Sequence, residues 1–258
     1  AAVWKHVEAL REEGFEIESR GGGYVLTATP DFGGAAVEYG LDAPFEIEYH
    51  DSIDSTNDRA RELAKEGEGD VAVLADEQTG SRGRLDRVWR APSGGIWLSL
   101  VCRPDFPPAN APIYTLAAAV AATDALATVG VDAEIKWPND VLVDGKKLVG
   151  IGINANVDGE EVPETATTVL ERVGEVDRTG LTRELIERFD ELRNDPEDVL
   201  SAWRVASATL GRRVRVETPG GDVVGTAIDV EFPGTLVVET ETGKRRISAG
   251  DCEHLRPT

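Results

Sequence analysis

The 258-residue sequence contains no methionine, only two cysteines and only three histidines. Cys102 and Cys252 lie far apart in the chain, which excludes a disulfide framework and favours two reduced thiols in a cytoplasmic protein. His6, His50 and His254 form no cluster in the sequence, which argues against a zinc site. The first residues already follow a helical pattern, so we expect the native N-terminus to lie upstream.

Long apolar runs are also scarce. We find no run of about 18 apolar residues, so we predict neither a transmembrane helix nor a membrane partner. The start of the chain shows no secretory signal pattern. The length is enough for one large domain or for two to three small ones.

Lysine is the third scarce residue, with six in the chain, whereas Asp and Glu together number 48 against 27 Lys and Arg. The formal net charge is -21. A charge of this size keeps a protein soluble where salt screens electrostatic forces heavily. We interpret it as an adaptation to concentrated salt, against which any cluster of cations stands out.

The order of apolar patterns and turn residues predicts an α+β protein in four parts. Residues 1–29 are typical of a helix and a glycine-turned hairpin, the back half of a winged helix-turn-helix. Residues 30–44 have the composition of a linker. Residues 45–205 alternate strands and helices, and residues 206–258 are short alternating strands typical of a small SH3-like β-barrel.

The stretch "EQTGSRGRLDRVWR", residues 77–90, carries four arginines spaced by glycines. Guanidinium groups match phosphate and carboxylate oxygens in pairs, and glycine lets the backbone approach an anion closely. Arg82, Gly83 and Arg84 therefore predict an anion-binding loop; the alternative is a solvated loop that pairs with the abundant carboxylates. Trp89 offers an aromatic face to a planar ligand such as adenine, or belongs to the core.

The motif "KWPND", residues 136–140, follows a predicted strand. Trp137 and Pro138 restrict the backbone beside Lys136. A lysine in such surroundings is suited to neutralising a carboxylate or a phosphate in a transition state. The alternative is a surface lysine that extends along apolar neighbours.

The triplet Ser55-Thr56-Asn57 opens a predicted helix. Its simplest role is a helix cap. Its functional interpretation is a set of small polar groups and helix N–H groups aimed at a ligand oxygen.

Taken together and in order, "STN", "EQTGSRGRLDRVW", "KWPND", "DGKKLVGI" and "GIGIN" resemble the biotin protein ligases, over nearly the whole chain. The helix-hairpin start and the C-terminal strands resemble the bifunctional form, which is both ligase and biotin-operon repressor. The resemblance implies a mixed sheet with helices, like that of class II aminoacyl-tRNA synthetases.

The resemblance also implies the reaction. ATP with Mg²⁺ activates biotin to biotinyl-5′-AMP, and biotin passes to a lysine of a carboxylase's biotin carboxyl carrier protein. No covalent enzyme intermediate is needed, which agrees with the lack of an obvious nucleophile–base pair. Two alternatives stay open: a lipoate-type acyl ligase on the same fold, and a non-catalytic biotin-sensing regulator that binds DNA.

By resemblance, the site falls into overlapping sets, and no residue is assigned as a metal ligand. The biotin-binding set is Ser55, Thr56, Asn57, Gln78, Arg82, Gly83, Arg84 and Lys136. The ATP- or adenylate-binding set is Arg82, Arg84, Trp89, Lys136 and Asn139. The catalytic set is Lys136, Arg82 and Arg84.

The sequence departs from the family pattern in two places near the site. Ser81 and Asp86 replace two glycines of the arginine loop, and Asp86 is expected to point away from the anion. The segment after Gly150 is shorter than in the family by a strand that lines the biotin pocket. We expect that residues are absent there, since a true deletion would remove a core strand.

The DNA-binding half is weak in cations. Lys5, His6 and Arg20 are the expected contacts to operator DNA, and five glutamates surround them in residues 1–29. Concentrated salt would screen that repulsion. Repressor activity and a homodimer formed through the central sheet are implied by the resemblance alone.

The charge predicts a salt-dependent stability. Raising KCl from about 0.1 M to about 1 M shortens the Debye length from about 10 Å to about 3 Å, which weakens repulsion among the carboxylates. We expect the unfolding temperature to rise by about 5 °C or more across this range, measured by differential scanning fluorimetry. A constant or falling unfolding temperature would contradict the interpretation of salt adaptation.

Overall fold

The computed structural model describes residues 2–81, 90–149, 152–153 (backbone only) and 155–255. At the N-terminal end, helix α1 (Ala2–Glu12) precedes an antiparallel hairpin of strands β1 (Glu16–Arg20) and β2 (Gly23–Ala28). The Arg11 guanidinium ties the helix to the hairpin by donating to the carbonyl of Ile17 at 3.0 Å. The predicted helix and glycine-turned hairpin are both present.

A seven-stranded mixed sheet forms the centre of the fold, in the order β3-β4-β5-β9-β8-β7-β6. Strands β3 and β4 are parallel, and the other neighbouring pairs are antiparallel. The strands are β3 (Glu46–Ile53), β4 (Val71–Gln78), β5 (Ile96–Val101), β6 (Glu134–Lys136), β7 (Asp140–Val143), β8 (Lys146–Val149) and β9 (Gly152–Ile153). Strand β4 begins with five buried residues, as its apolar run predicts for a central strand.

Helices pack around this sheet and begin at identifiable caps. They are α2 (Gly34–Glu38), α3 (Thr56–Glu66), α4 (Pro112–Thr128), α5 (Val169–Val173), α6 (Arg178–Leu192) and α7 (Pro196–Val205). As predicted, Ser55 caps α3 by accepting from Asp58 N–H at 3.3 Å. Asp195 caps α7 by accepting from two backbone N–H groups. The five-residue α5 was not predicted, because it has little more than one turn in which to show periodicity.

Helix α4 lies in the core and packs against α6, α7 and the sheet. By length and composition alone, the segment Pro108–Thr128 would be long and apolar enough to span a membrane. Threonine and aspartate interrupt it, but its many alanines keep the mean hydropathy high. Half of it is buried inside the fold, which is typical of a core helix.

The segment predicted as a linker, residues 30–44, holds helix α2 and packs on the core. Ala36 and Val37 are fully buried, and Arg183 of α6 donates to both of their carbonyls. A hydrogen-bonded, buried segment of this kind restrains the chain more than a flexible linker does.

The C-terminal residues form a five-stranded antiparallel sheet in the order β13-β12-β11-β10-β14. Its strands are β10 (Arg213–Glu217), β11 (Val223–Glu231), β12 (Thr235–Thr240), β13 (Gly243–Ile247) and β14 (Asp251–His254). Val214 and Val216 alternate with exposed residues, and they belong to the same buried cluster as Leu116 of α4. The C-terminal sheet therefore shares one core with the central sheet.

The described part of strand β9 has two residues and lies between β5 and β8. It pairs with β5 only at Ile96 and Trp97, and with β8 only at Val149. Within the described residues, the rest of β5 has no partner on that side.

Both cysteines are free, as the sequence predicted. Burial raises the pKa of each thiol to about 11. Thiols of this kind are unreactive, because the thiolate is the nucleophile.

Leu126→Ala tests the position of α4 in the core. Leu126 is fully buried, so its truncation should lower the free energy of unfolding by about 2–5 kcal/mol. Val205→Ala is the control, because Val205 is 88% exposed and the change should cost less than about 0.5 kcal/mol. Urea unfolding followed by tryptophan fluorescence measures both, and equal effects would contradict the core assignment.

Candidate active site

Parallel strands β3 and β4 end at the same edge of the sheet, and the first polar group of the site lies there. The chain after β3 enters α3 at Thr56, while β4 ends at Gln78. Gln78 Oε1 accepts from Thr56 N–H at 2.8 Å and from its hydroxyl at 3.1 Å. The Thr56 hydroxyl also contacts Ser99 Oγ of β5 at 2.9 Å. Because Thr56 is only 2% exposed, this network is a fixed, desolvated group.

An apolar cavity of about 470 Å³ opens beside this network. Its polar lining includes Asn57, Ser99 and Asn139. Its apolar walls come from β5, from the alanine face of α4 and from α6, which contributes Phe189. An apolar cavity with a few convergent polar groups is the usual form of a small-molecule site.

Asp140, the last residue of the "KWPND" motif, forms ion pairs with two lysines. Its carboxylate lies 3.1 Å from Lys136 Nζ of β6 and 2.7 Å from Lys147 Nζ of β8. Burial raises the pKa of Asp140, but the ammonium groups of Lys147 and Lys136 outweigh burial and hold it below its usual value. The carboxylate therefore stays ionised and keeps both cations in place.

A second, polar cavity of about 880 Å³ surrounds these lysines. Lys136, Lys147 and Arg212 supply positive charge to its lining, and His254 of β14 lies on the same wall. Carboxylates lining it are Glu134, Asp140, Asp144, Glu217, Asp251 and Glu253. Asn139 lines the first cavity and the neighbouring Asp140 the second, so the β6–β7 turn stands between the two.

The arginine loop itself, with Arg82, Gly83, Arg84 and Trp89, lies outside the described residues. Its two ends are anchored beside the site. Gln78 N–H donates to Ala91 O at 2.8 Å, which closes the base of the loop. Gly80 N–H donates to Asp54 O at 2.9 Å, next to the cap of α3.

Asp76 of β4 fixes the chain that follows the arginine loop. Its carboxylate accepts from Arg178 at 2.5 Å and from Ser93. Burial raises the pKa of Asp76, yet the hydrogen bonds from Arg178 and Ser93 bring it below its usual value. The chain on the far side of the arginine loop is thus fixed to β4.

Comparison with known proteins decides the family. Residues 49–166 match the biotin/lipoate A/B protein ligase family, and residues 209–255 match the biotin protein ligase C-terminal domain. The chain is 35% identical over 291 residues to the bifunctional ligase/repressor BirA of Bacillus subtilis, covering 98% of this chain and 89% of that protein. This chain belongs to the biotin protein ligase family.

Other members of the family are similar over much of the chain. The biotin–[acetyl-CoA-carboxylase] ligase of Mycobacterium tuberculosis is 37% identical over 211 residues, covering 72% of this chain and 79% of that one. The biotin protein ligase of Aquifex aeolicus in complex with biotin and ATP has a TM-score of 0.70 and 26% identity, covering 82% of this chain and 99% of that one. The biotin ligase fold, with its mixed sheet and C-terminal β domain, is thereby confirmed.

The alignment with the Bacillus relative spans 291 residues, more than the 258 of this chain. That member of the family therefore has positions without a counterpart here. The absence of residues after Gly150 stays a prediction.

Ser55, Thr56, Asn57 and Gln78 lie together at the edge of the sheet where β3 and β4 end, and their role in binding biotin stays a prediction. Ser55 caps the helix, while Thr56 binds Gln78 directly. Lys136 lies across the "KWPND" turn, on the wall of the second cavity.

Three groups of the site were missed. Ser99 lies in an apolar strand and gives no signal in the sequence. Lys147 lies within the quoted motif "DGKKLVGI", and its neighbour Lys146 is exposed, so strand alternation could have selected it. Thr209 and His254 lie in the C-terminal part, which the sequence did not connect to the site.

Asp140→Asn tests the two-lysine pairing. Removing the charge should lower the free energy of unfolding by about 1–2 kcal/mol at neutral pH, after discounting for partial exposure. A depressed carboxyl pKa stabilises the fold above the unfolded value and loses that effect as pH falls through the folded value. The gap between wild type and variant, measured by urea unfolding, should therefore shrink below about pH 4.

Glu191→Gln is the control for this prediction. Glu191 pairs with Arg188 at 2.8 Å at the surface, so its loss should cost less than about 1 kcal/mol. A cost for Asp140→Asn that does not depend on pH would contradict the electrostatic explanation.

Proposed function

We propose that this protein activates biotin with ATP to form biotinyl-5′-AMP and then transfers biotin to a lysine of the biotin carboxyl carrier protein of a carboxylase. One observation carries the proposal: an apolar cavity and a lysine-bearing polar cavity lie on either side of the β6–β7 turn, lined by the neighbouring residues Asn139 and Asp140. The family membership of the chain supports the same reaction.

The apolar cavity suits biotin, which has a polar ureido head on an apolar ring and chain. Thr56 N–H and hydroxyl both bind Gln78 Oε1, so the orientation of this amide is fixed. A preset amide and the Ser99 hydroxyl offer donors and acceptors without reorganisation on binding. Asn57 lines the same cavity and extends this polar end.

The polar cavity suits the phosphates of ATP. The biotin carboxylate and the α-phosphate are both anions, so their approach requires nearby cations. Lys136, Lys147 and Arg212 supply these in the described part of the chain, and Arg82 and Arg84 are proposed to add to them. Trp89 is proposed to pack on adenine, with Asn139 beside the nucleotide.

Mg²⁺ is proposed to enter with ATP. The described residues contain no group of three or more acidic, histidine or cysteine side chains placed to hold a metal ion. Mg²⁺ is commonly bound by one or two carboxylates together with substrate phosphates, and this donor set fits a carboxylate-lined cavity.

The chemistry runs in two steps. A biotin carboxylate oxygen attacks the α-phosphorus, the bond to the bridging oxygen breaks, and pyrophosphate leaves. The carrier lysine, as a neutral amine, then attacks the carbonyl carbon of the mixed anhydride. An amide forms as the carbon–oxygen bond to AMP breaks, and the amine proton passes to solvent. The arginine loop is proposed to limit hydrolysis of the anhydride in between.

Lys136→Ala tests the catalytic assignment. Loss of a cation at the reacting phosphate should lower biotin-dependent exchange of labelled pyrophosphate into ATP by about 10²-fold or more. Lys146→Ala is the matched control, because Lys146 is exposed on the neighbouring strand and its loss should leave exchange within about twofold.

Substrate choice is tested in the same assay. Exchange that requires lipoate instead of biotin would favour the lipoate-type ligase, and no exchange with either acid would favour a regulator without catalysis. Either result would overturn the proposal.

A second function, biotin-responsive repression, is favoured by the match to a bifunctional ligase/repressor over 98% of the chain. We propose that residues 1–29 are a partial winged helix-turn-helix that contacts operator DNA through Lys5, His6 and Arg20. Lys5 and His6 are exposed, whereas Arg20 is paired with Glu18 at 2.6 Å. Lys136→Ala should leave such DNA binding intact, measured by fluorescence anisotropy, and an equal loss would contradict this division of labour.

The proposed domain division keeps residues 30–44 as the connection, 45–205 as the catalytic domain and 206–258 as an SH3-like domain. A cytoplasmic protein is proposed, in keeping with its free, unreactive thiols. A homodimer is proposed as well, and sedimentation velocity tests it.

A further inference from the structure

The "KWPND" segment takes its firmest contacts from residues far downstream. Trp137 N–H donates to Thr209 Oγ1 at 2.9 Å, and the Trp137 indole N–H donates to Gly234 O at 3.0 Å. The indole N–H of Trp203 donates to Pro138 O at 3.1 Å. Three hydrogen bonds with residues beyond position 200 therefore fix the backbone and side chain of Trp137 and the carbonyl of Pro138, next to Lys136.

Strand β6 is also held along its outer edge. Ile135 N–H donates to Ala206 O at 2.7 Å, and Ala208 N–H donates to Ile135 O at 2.9 Å. The chain that enters the C-terminal sheet thus pairs with β6 through one isolated parallel bridge, between Ile135 and Ser207. The position of Lys136, the last residue of β6, depends on this contact.

Thr209 connects this edge to β14. Thr209 is fully buried, and its hydroxyl lies 2.9 Å from His254 Nε2. Its oxygen accepts from Trp137 N–H. With the neutral imidazole protonated on Nδ1, the Thr209 hydroxyl donates to His254 Nε2; with the proton on Nε2, the direction is reversed.

We propose that His254 is a positioning residue for the ligase reaction. By accepting from Thr209, it locks the hydroxyl in the rotamer that binds Trp137 N–H, and this aims the adjoining Lys136 into the polar cavity. His254 and Lys136 line the same cavity, so the path between them is short. The inference rests on the proposed catalytic role of Lys136.

The surroundings keep the imidazole neutral. Burial, and then the positive charges of Arg212 and Lys136, lower the pKa of His254 to about 4. The imidazole is therefore uncharged at neutral pH, as acceptance from the Thr209 hydroxyl requires.

His254→Leu and His254→Gln test the proposal. Leucine cannot accept from Thr209, whereas a glutamine Oε1 can reach the place of Nε2. His254→Leu should lower kcat of biotinyl-adenylate formation about 10- to 100-fold with little change in KM for biotin, because the Thr56–Gln78 network is untouched. His254→Gln should stay within about threefold of wild type.

Thr209 supplies an independent arm. Thr209→Ser keeps the hydroxyl and should keep activity, whereas Thr209→Val removes it and should lower kcat as His254→Leu does. In a Thr209→Val background, His254→Leu should have no further effect, because the two residues act in series. If His254→Leu fails to fold, the Thr209→Ser and Thr209→Val pair together with His254→Gln decides the question.

His50→Leu is the matched control. His50 is also partly buried and contacts Glu48 at 2.9 Å, on strand β3. Its loss should leave kcat within about twofold. The proposal is overturned if His254→Leu keeps the wild-type kcat, if His254→Gln is as impaired as His254→Leu, or if His254→Leu lowers kcat further in the Thr209→Val background.

Lys136→Ala distinguishes failure of the proposed function from failure of the positioning role of His254. An active Lys136→Ala variant removes the proposed role of Lys136, and the positioning role falls with it. An inactive Lys136→Ala variant beside a fully active His254→Leu variant overturns the positioning role alone.

Discussion

The site depends on one ionised carboxylate that holds two ammonium groups. Asp140 lies within 3.1 Å of Lys136 and 2.7 Å of Lys147, and all three are partly buried. Without the carboxylate, the two cations would repel each other and turn toward solvent. Three strands, β6, β7 and β8, each contribute one member, so the charge arrangement requires that the sheet be correctly paired.

The chain has more acidic than basic residues, so most cations have a carboxylate nearby, and this affects how the Asp140 site can bind an anion. Many described arginines are already committed to carboxylates, as in the contacts of Arg59 with Glu48 and of Arg178 with Asp76. An arriving anion must compete with such pairs. At Asp140 the two ammonium groups share one carboxylate, and five further carboxylates line the same cavity beside Arg212. An anion that enters this cavity therefore meets cations that already have acidic neighbours.

The C-terminal sheet packs on the central sheet and contacts the "KWPND" segment. Its valines and leucines lie in the cluster that also contains α4, and its Gly234 carbonyl binds the Trp137 indole. A domain added only for partner binding would not need to share a core with the catalytic sheet. The contacts of Trp137 with Thr209 and Gly234, and of Thr209 with His254, join the end of the chain to the "KWPND" segment.

Several parts of this protein were determined by local sequence. Ser55 predicted a helix start, because a cap needs only a polar side chain within three residues of the N–H that it accepts, and Asp195 caps α7 in the same local way. The β7–β8 hairpin turns at Asp144-Gly145, where both residues have positive φ, and this too depends on adjacent residues alone. The motifs also identified the family and grouped the Ser55–Asn57 triplet with Gln78.

Only the tertiary structure decided what lies across the site. Thr209 binds Trp137 across 72 positions and His254 binds Thr209 across 45, and such pairs leave no periodic trace in a single sequence. The same holds for Ser99 beside Thr56, since an isolated serine in a buried strand shows no pattern. Caps and turns can be predicted from the spacing of neighbouring residues. The position of Lys136 cannot, because it depends on residues far along the chain that fold against the edge of β6.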